Sequence, residues 1–183
     1  MLQEGVHDAA DAAPTDRHIC VMGVSGSGKS TIASRLARRL DRSFCDADDL
    51  HPQANIDKMA AGTPLTDDDR RPWLDAVVAW CDEESAAGRS TVFACSALRR
   101  SYRELLGRAD GGVVFVELAV PEEELRRRLE SRTGHYMKVA MLTSQLETFE
   151  NPGSDENAVT VDATGEIDET VSAAADAIAR RGR

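Results

Sequence analysis

The stretch Gly23-Val24-Ser25-Gly26-Ser27-Gly28-Lys29-Ser30 fills every fixed position of the phosphate-loop pattern G-x-x-x-x-G-K-[ST]. Such a loop needs a strand that ends beneath it and a helix that starts from it, so it dictates its flanks as well as its ligand. The flanks comply. His18-Ile19-Cys20-Val21-Met22 reads as a short buried strand, and residues 31–40 carry apolar side chains at helical spacing. Glycines at 23, 26 and 28 let the backbone turn tightly and aim successive N–H groups at phosphate oxygens, with the positive end of the helix behind them. Val24, Ser25 and Ser27 complete the cradle. On a bound ATP or GTP, Lys29 reaches the β- and γ-phosphates, Ser30 ligates the Mg²⁺ that bridges them, and Thr31 contacts the α-phosphate.

A chain of 183 residues, 42% hydrophobic, suits one domain with a full core and leaves no room for a second catalytic domain. Its 22 basic against 32 acidic residues give a net charge of −10, which argues against a nucleic-acid or anionic-membrane partner. No apolar run approaches the roughly 18 residues of a membrane helix. Residues 1–16, acidic and alanine-rich without a signal-peptide core, are expected to be a disordered leader outside the domain at 17–183. Cys20, Cys45, Cys81 and Cys95 show no C-x-x-C spacing, so buried thiols are expected rather than disulfides or zinc ligands, in keeping with a cytoplasmic location.

Beyond the first helix, strands are expected at 43–46, 90–95, 112–118 and 158–161. Helices are expected from Pro72 to near Gly88, over 99–106, after Pro121, from beyond Gly134 to Phe149, and over 167–181. This alternation predicts an α/β fold: a five-stranded parallel sheet with helices on both faces, whose ligands collect at the carboxyl ends of the strands. The end of the second strand is Asp46-Ala47-Asp48-Asp49-Leu50-His51. Two carboxylates there can divide phosphoryl transfer, Asp46 holding the Mg²⁺ shell and Asp48 orienting and deprotonating the acceptor hydroxyl. A solvated acidic turn is the structural alternative. His51 reads either as a substrate contact or as a packing residue.

The segment from His51-Pro52-Gln53-Ala54-Asn55-Ile56-Asp57-Lys58-Met59 to Asp67-Asp68-Asp69-Arg70-Arg71-Pro72-Trp73-Leu74 closely resembles the gluconate kinases, the short P-loop gluconokinases. The likeness extends through Cys95-Ser96-Ala97-Leu98, Tyr102-Arg103, Arg132-Thr133-Gly134-His135, Gln145-Leu146-Glu147, Glu150-Asn151-Pro152 and Asp155-Glu156. It covers the chain from about His18 to the last helix. The resemblance implies a nucleoside-monophosphate-kinase-like P-loop fold that transfers the ATP γ-phosphoryl group to the 6-hydroxyl of D-gluconate, and a homodimer. Two positions depart from the family: Ala47 stands where glycine is common, and Asp49 where a larger apolar or aromatic residue is often found.

A polyhydroxy carboxylate needs cations for its carboxylate and hydrogen-bonding partners for its hydroxyls. Lys58, Arg70 and Arg103 are the candidate cations, with Asp48, His51 and His135 for the hydroxyls, and the acceptor region is placed at about 47–72. Arg70 can equally pair with the acidic run 67–69 at a helix start. In 122–128 each glutamate precedes an arginine by four residues, which assigns Arg126 and Arg127 to helix-surface pairs. Arg128 and Arg132 resemble the lid arginines of small P-loop kinases, Arg128 on the adenine or phosphates and Arg132 on the transferring phosphoryl group. His135 and Lys138 assist or are solvated, in a lid at about 128–140. Rival readings keep the fold but change the acceptor to shikimate, another sugar acid or a nucleotide, or make the chain a non-catalytic nucleotide-binding regulatory module.

Overall fold

The computed structural model describes residues 17–131 and 135–181, with side-chain detail except at 135–139. The expected leader and residues 132–134 lie outside the described residues. The strands are β1 (His18–Met22), β2 (Ser43–Asp46), β3 (Thr91–Ala94), β4 (Val113–Ala119) and β5 (Ala158–Asp162). They form one sheet in the order β2-β3-β1-β4-β5, all pairs parallel. The helices are α1 (Lys29–Arg39), α2 (Gln53–Ala60), α3 (Asp67–Ala86), α4 (Arg100–Leu106), α5 (Glu122–Glu130), α6 (His135–Thr148) and α7 (Ile167–Arg181). Among the described residues, no helix is long and apolar enough to cross a membrane.

β1 is central because all five of its residues are apolar or paired, and all five are buried. Alternation along it splits the core. Ile19 and Val21 face α1 and α7, packing with Ile32, Leu36 and Val171, while Cys20 and Met22 face α3 and α4, packing with Trp73, Phe93 and Leu106. Each large apolar side chain so buried contributes about 1.5–3 kcal/mol. A third cluster, including Val24, Leu125, Leu129 and Leu142, fastens α5 and α6 beneath the phosphate loop.

His18 is fully buried at the foot of β1. Its Nδ1 accepts the Thr91 N–H at 3.3 Å and faces the Thr91 hydroxyl at 2.7 Å, so the ring proton sits on Nε2, 3.0 Å from the Asp110 carbonyl. Burial holds its pKa below the usual histidine range.

α3 starts at Asp67, not at Pro72. Thr66 and Asp69 form a reciprocal capping box, and three aspartates occupy the first turn, where the helix dipole favours them. Pro72 therefore lies inside the helix, at the loss of one hydrogen bond. The four cysteines are free: Cys20, Cys81 and Cys95 are buried and Cys45 is half-buried. Burial pushes the Cys81 thiol up to about 12 and the Cys45 thiol to about 11.

Candidate active site

The phosphate loop joins β1 to α1 at the carboxyl end of the central strand. Gly23 and Gly26 have φ of 156° and 86°. A Cβ on Gly23 would lie 2.7 Å from Ser27 Oγ, and one on Gly26 would lie 3.1 Å from Leu129 Cγ of α5. The loop is thus folded down on itself and on α5, which leaves only hydrogen at both positions. Val24 and Ser27 are buried in its underside, and Ser27 Oγ has no partner among the described residues. Gly28, in the left-handed conformation, caps α1. Lys29 and Ser30 open the helix, and Thr31 is exposed beside them. Ser25 N–H donates to Gln145 Oε1 at 2.7 Å, so α6 reaches the rim of the loop. The motif likeness included Gln145, but nothing local to its sequence signals that contact.

The two residues expected at the metal meet. Ser30 Oγ donates to Asp46 Oδ2 at 2.5 Å, and Asp46 Oδ1 accepts the Asp48 N–H at 3.1 Å, capping the 3-10 turn Ala47–Leu50. A hydroxyl and a carboxylate are hard oxygen donors, and Mg²⁺ typically takes one or two such protein groups and completes its shell with phosphates and water. The set fits that ion. The Asp48 side chain is 71% exposed. Partial desolvation of its carboxyl, then Asp46 beside it, raises its pKa above the ordinary range, while Lys29 and His51 pull the other way. Solvent access limits that displacement.

His51 is packed rather than free. Its side chain is 6% exposed, its ring stacks on Trp73 with centroids 4.2 Å apart, and Nε2 lies 4.0 Å from Asp48 Oδ1. Asn55 Nδ2 donates to the Asp69 carbonyl at 2.8 Å and faces His51 Nδ1 at 3.3 Å. An amide nitrogen can only donate, so Nδ1 accepts and the ring proton points from Nε2 towards Asp48. Burial lowers the pKa of this ring, with Asp48 opposing and Arg70 reinforcing. Trp73 Nε1 donates to the Ala47 carbonyl at 2.6 Å, and the Ala47 methyl is fully buried in the core, so this departure from glycine is accommodated.

The expected cations fare differently. Lys58 Nζ is 2.6 Å from Asp69 Oδ2, and this contact, with Thr66, holds the Asp69 carboxyl at about 2. Arg70 donates from Nη1 to the Leu65 carbonyl at 2.7 Å and to the Tyr102 hydroxyl at 3.4 Å, with Asp67 at 3.8 Å. The pairing with the acidic run at the helix start is thus partly realised through Asp67.

Arg103 is a correction. It is 1% exposed, forms a forked pair with Glu156 at 2.6 and 3.0 Å, and donates from Nη1 to the carbonyls of Ala97 and Leu98. With every edge of the guanidinium used and no solvent access, it clamps the loop after β3 and does not meet the acceptor.

Arg126 pairs with Glu122 as the spacing predicts, whereas Arg127 pairs with Glu124 three residues back rather than with Glu123. Arg128 donates to Glu124 at 2.8 Å, to the Ala163 carbonyl at 2.8 Å and to the Gly26 carbonyl at 3.5 Å, tying α5 to the loop and to the end of β5. Arg132 lies outside the described residues, as do the side chains of His135 and Lys138. A cavity of about 590 Å³ opens beside the loop, lined by Gly23, Val24, Leu118, Phe149 and Asp162 among others. Lys29, Asp46 and Asp48 are not among the residues that line it.

A family model described as an AAA domain matches residues 19–152. The gluconokinase of Gluconobacter oxydans (strain 621H) is 49% identical over 145 residues, 79% of this chain and 82% of that protein. The thermoresistant gluconokinase of Escherichia coli (strain K12) is 45% identical over 80% of this chain and 84% of its own length. The crystal structure of a gluconokinase from Sinorhizobium meliloti 1021 superimposes with a TM-score of 0.80 at 44% identity, covering 91% of this chain and 93% of the other. Agreement of this depth in sequence and fold means that the chain belongs to the gluconokinase family of P-loop kinases.

Proposed function

We propose that the chain transfers the γ-phosphoryl group of ATP to the 6-hydroxyl of D-gluconate. The observation that carries this reading is the Ser30–Asp46 contact set two residues from Asp48, at the end of β2 beside the loop, in a chain of this family. The loop amides and Lys29 hold the β- and γ-phosphates, and Thr31 and Arg128 serve the nucleotide side. Ser30 and Asp46 would hold Mg²⁺, which when bound neutralises phosphate charge. Asp48 accepts the proton of the 6-hydroxyl as that oxygen attacks phosphorus, and its upward-shifted carboxyl suits a general base. His51 donates from Nε2 to an acceptor hydroxyl, and Arg70 meets the acceptor from α3. Residues 47–72 form the acceptor region. Residues 128–140 form a lid that brings Arg132 to the transferring phosphoryl group and His135 to the acceptor. Its closure excludes water, so the γ-phosphate is transferred rather than hydrolysed.

A cytoplasmic location and a homodimeric assembly complete the reading; the four free thiols fit a reducing compartment. Family membership favours gluconate over shikimate or a nucleotide, and the paired carboxylates favour catalysis over a regulatory module. The test is a panel of gluconate, shikimate, glucose, glycerate and nucleoside monophosphates, run beside Asp48→Asn. Gluconate-dependent ADP release is expected in the wild type, with a 10²–10⁴-fold loss in Asp48→Asn and retained ATP binding. ADP release indifferent to gluconate overturns the substrate, and near-normal turnover in the variant overturns the base.

A further inference from the structure

Arg70 of the acceptor region and Arg99, just before α4, commit fewer guanidinium nitrogens to protein acceptors than four other arginines. Arg100, Arg103, Arg126 and Arg128 each commit at least two nitrogens to protein acceptors. Arg70 and Arg99 commit Nη1 alone. That atom of Arg70 serves Leu65 and the Tyr102 hydroxyl, and that of Arg99 donates to Asp67 Oδ2 at 3.1 Å. A guanidinium carries five N–H donors in a rigid fork, so Nε and Nη2 of both remain without an acceptor among the described residues.

The two groups are held together. Their guanidinium carbons lie 5.7 and 5.9 Å from the centroid of the one Tyr102 ring. The Tyr102 hydroxyl donates to Asp67 Oδ1 at 2.5 Å, so a single carboxylate orients the phenol and both cations, and the cluster keeps one unneutralised positive charge. In a chain of net charge −10, two partly exposed arginines brought together this way mark an anion site. Arg70 comes from α3, and its charge reaches His51. Arg99 precedes α4 and follows Ala97, whose φ of 45° is left-handed for a residue with a Cβ. The Arg103 clamp on the Ala97 and Leu98 carbonyls holds that turn in place.

We propose that Arg70 and Arg99 form the carboxylate subsite of the acceptor, gripping the acid end of an aldonate while Asp48 handles the hydroxyl at its far end. The proposal rests on the reading of the chain as a gluconate kinase. Through this subsite the enzyme selects a sugar acid over the corresponding aldose or polyol, which would leave both forks unpaired.

The test compares wild type, Arg99→Gln and Arg99→Lys with D-gluconate and its neutral analogue D-gluconamide, with circular dichroism to confirm folding. Arg99→Gln is expected to raise the gluconate KM by roughly ten- to a hundredfold, the size of a lost charge-assisted hydrogen bond, with kcat and the ATP KM little changed. Arg99→Lys, which keeps charge but loses the fork, should fall between, and gluconamide kinetics should not respond to either substitution. An unchanged gluconate KM in Arg99→Gln, or an equal rise for gluconamide, overturns the subsite. If the wild type turns over another carboxylic acid instead of gluconate, the assigned substrate falls and the subsite stands or falls on the KM for that acid. If only neutral acceptors react, both fall.

Discussion

Glu156→Gln tests whether the Arg103 pair is a structural element of the core. The pair is 1% and 9% exposed and is closed by two contacts of 2.6 and 3.0 Å, and the same carboxylate accepts the Gly153 N–H at 2.9 Å. Removing one partner of a buried pair costs about 3–5 kcal/mol, because the surviving charge is left uncompensated. Glutamine keeps the shape and one acceptor oxygen, so the low end applies, about 3 kcal/mol. At roughly 2–4 °C per kcal/mol for a domain of this size, Tm should fall by about 6–12 °C at neutral pH. The forked hydrogen bond from Arg103 holds the Glu156 carboxyl below its ordinary range. Its contribution is therefore complete above the unfolded glutamate pKa of about 4.3 and is lost as pH falls through the lower folded value. The gap in Tm between wild type and variant should close in acid. Scanning calorimetry from pH 7.5 down to 3 measures both effects. A Tm within 2 °C of wild type at neutral pH, accompanied by a raised gluconate KM, would return Arg103 to the acceptor and refute the clamp.

Lys29→Ala should abolish most turnover while circular dichroism and Tm stay near wild type, because a half-exposed loop lysine adds little to the core; near-normal turnover would count against the phosphate-loop assignment. Asp46→Asn should raise the Mg²⁺ concentration needed for half-maximal activity, and excess metal should rescue it but not Asp48→Asn. The reverse pattern in a Mg²⁺ titration would exchange the two roles. His18 titrates lower in the fold than its unfolded value of about 6.5, so the unfolded chain takes up the proton first as pH falls. Stability should be full above about pH 6.5 and decline below it, and Tm should drop more steeply from pH 6.5 to 5 in wild type than in His18→Gln; parallel slopes would dismiss the buried ring as the cause.

Local order was legible wherever the signal lies within a few residues. The spacing of glycines and Lys29 announces the loop, the apolar run at 18–22 its strand, and residues 43–46 and 167–181 read with the bounds that β2 and α7 take. The helix start expected at Pro72 was five residues late, because the Thr66–Asp69 capping box satisfies two backbone donors that a later start would leave unpaired. Ser30 and Asp46, sixteen residues apart, could be paired on chemical grounds because both must face one cation.

The fate of the arginines could not be read that way. Arg103 and Arg99 stand four residues apart with similar neighbours, yet Arg103 is sealed in the core by Glu156, fifty-three residues on, and Arg99 keeps an open fork beside Tyr102 and Asp67. Whether a charge is buried or offered to a ligand depends on which carboxylate the folded chain brings within about 3 Å of it, and on the water that remains. The sequence by itself determined the loop, the strand–helix alternation and the residue types required at the site. The tertiary structure alone decided which cations are spent on the fold and which stay free to bind, because the electrostatic cost of a charge is set by long-range packing rather than by local spacing.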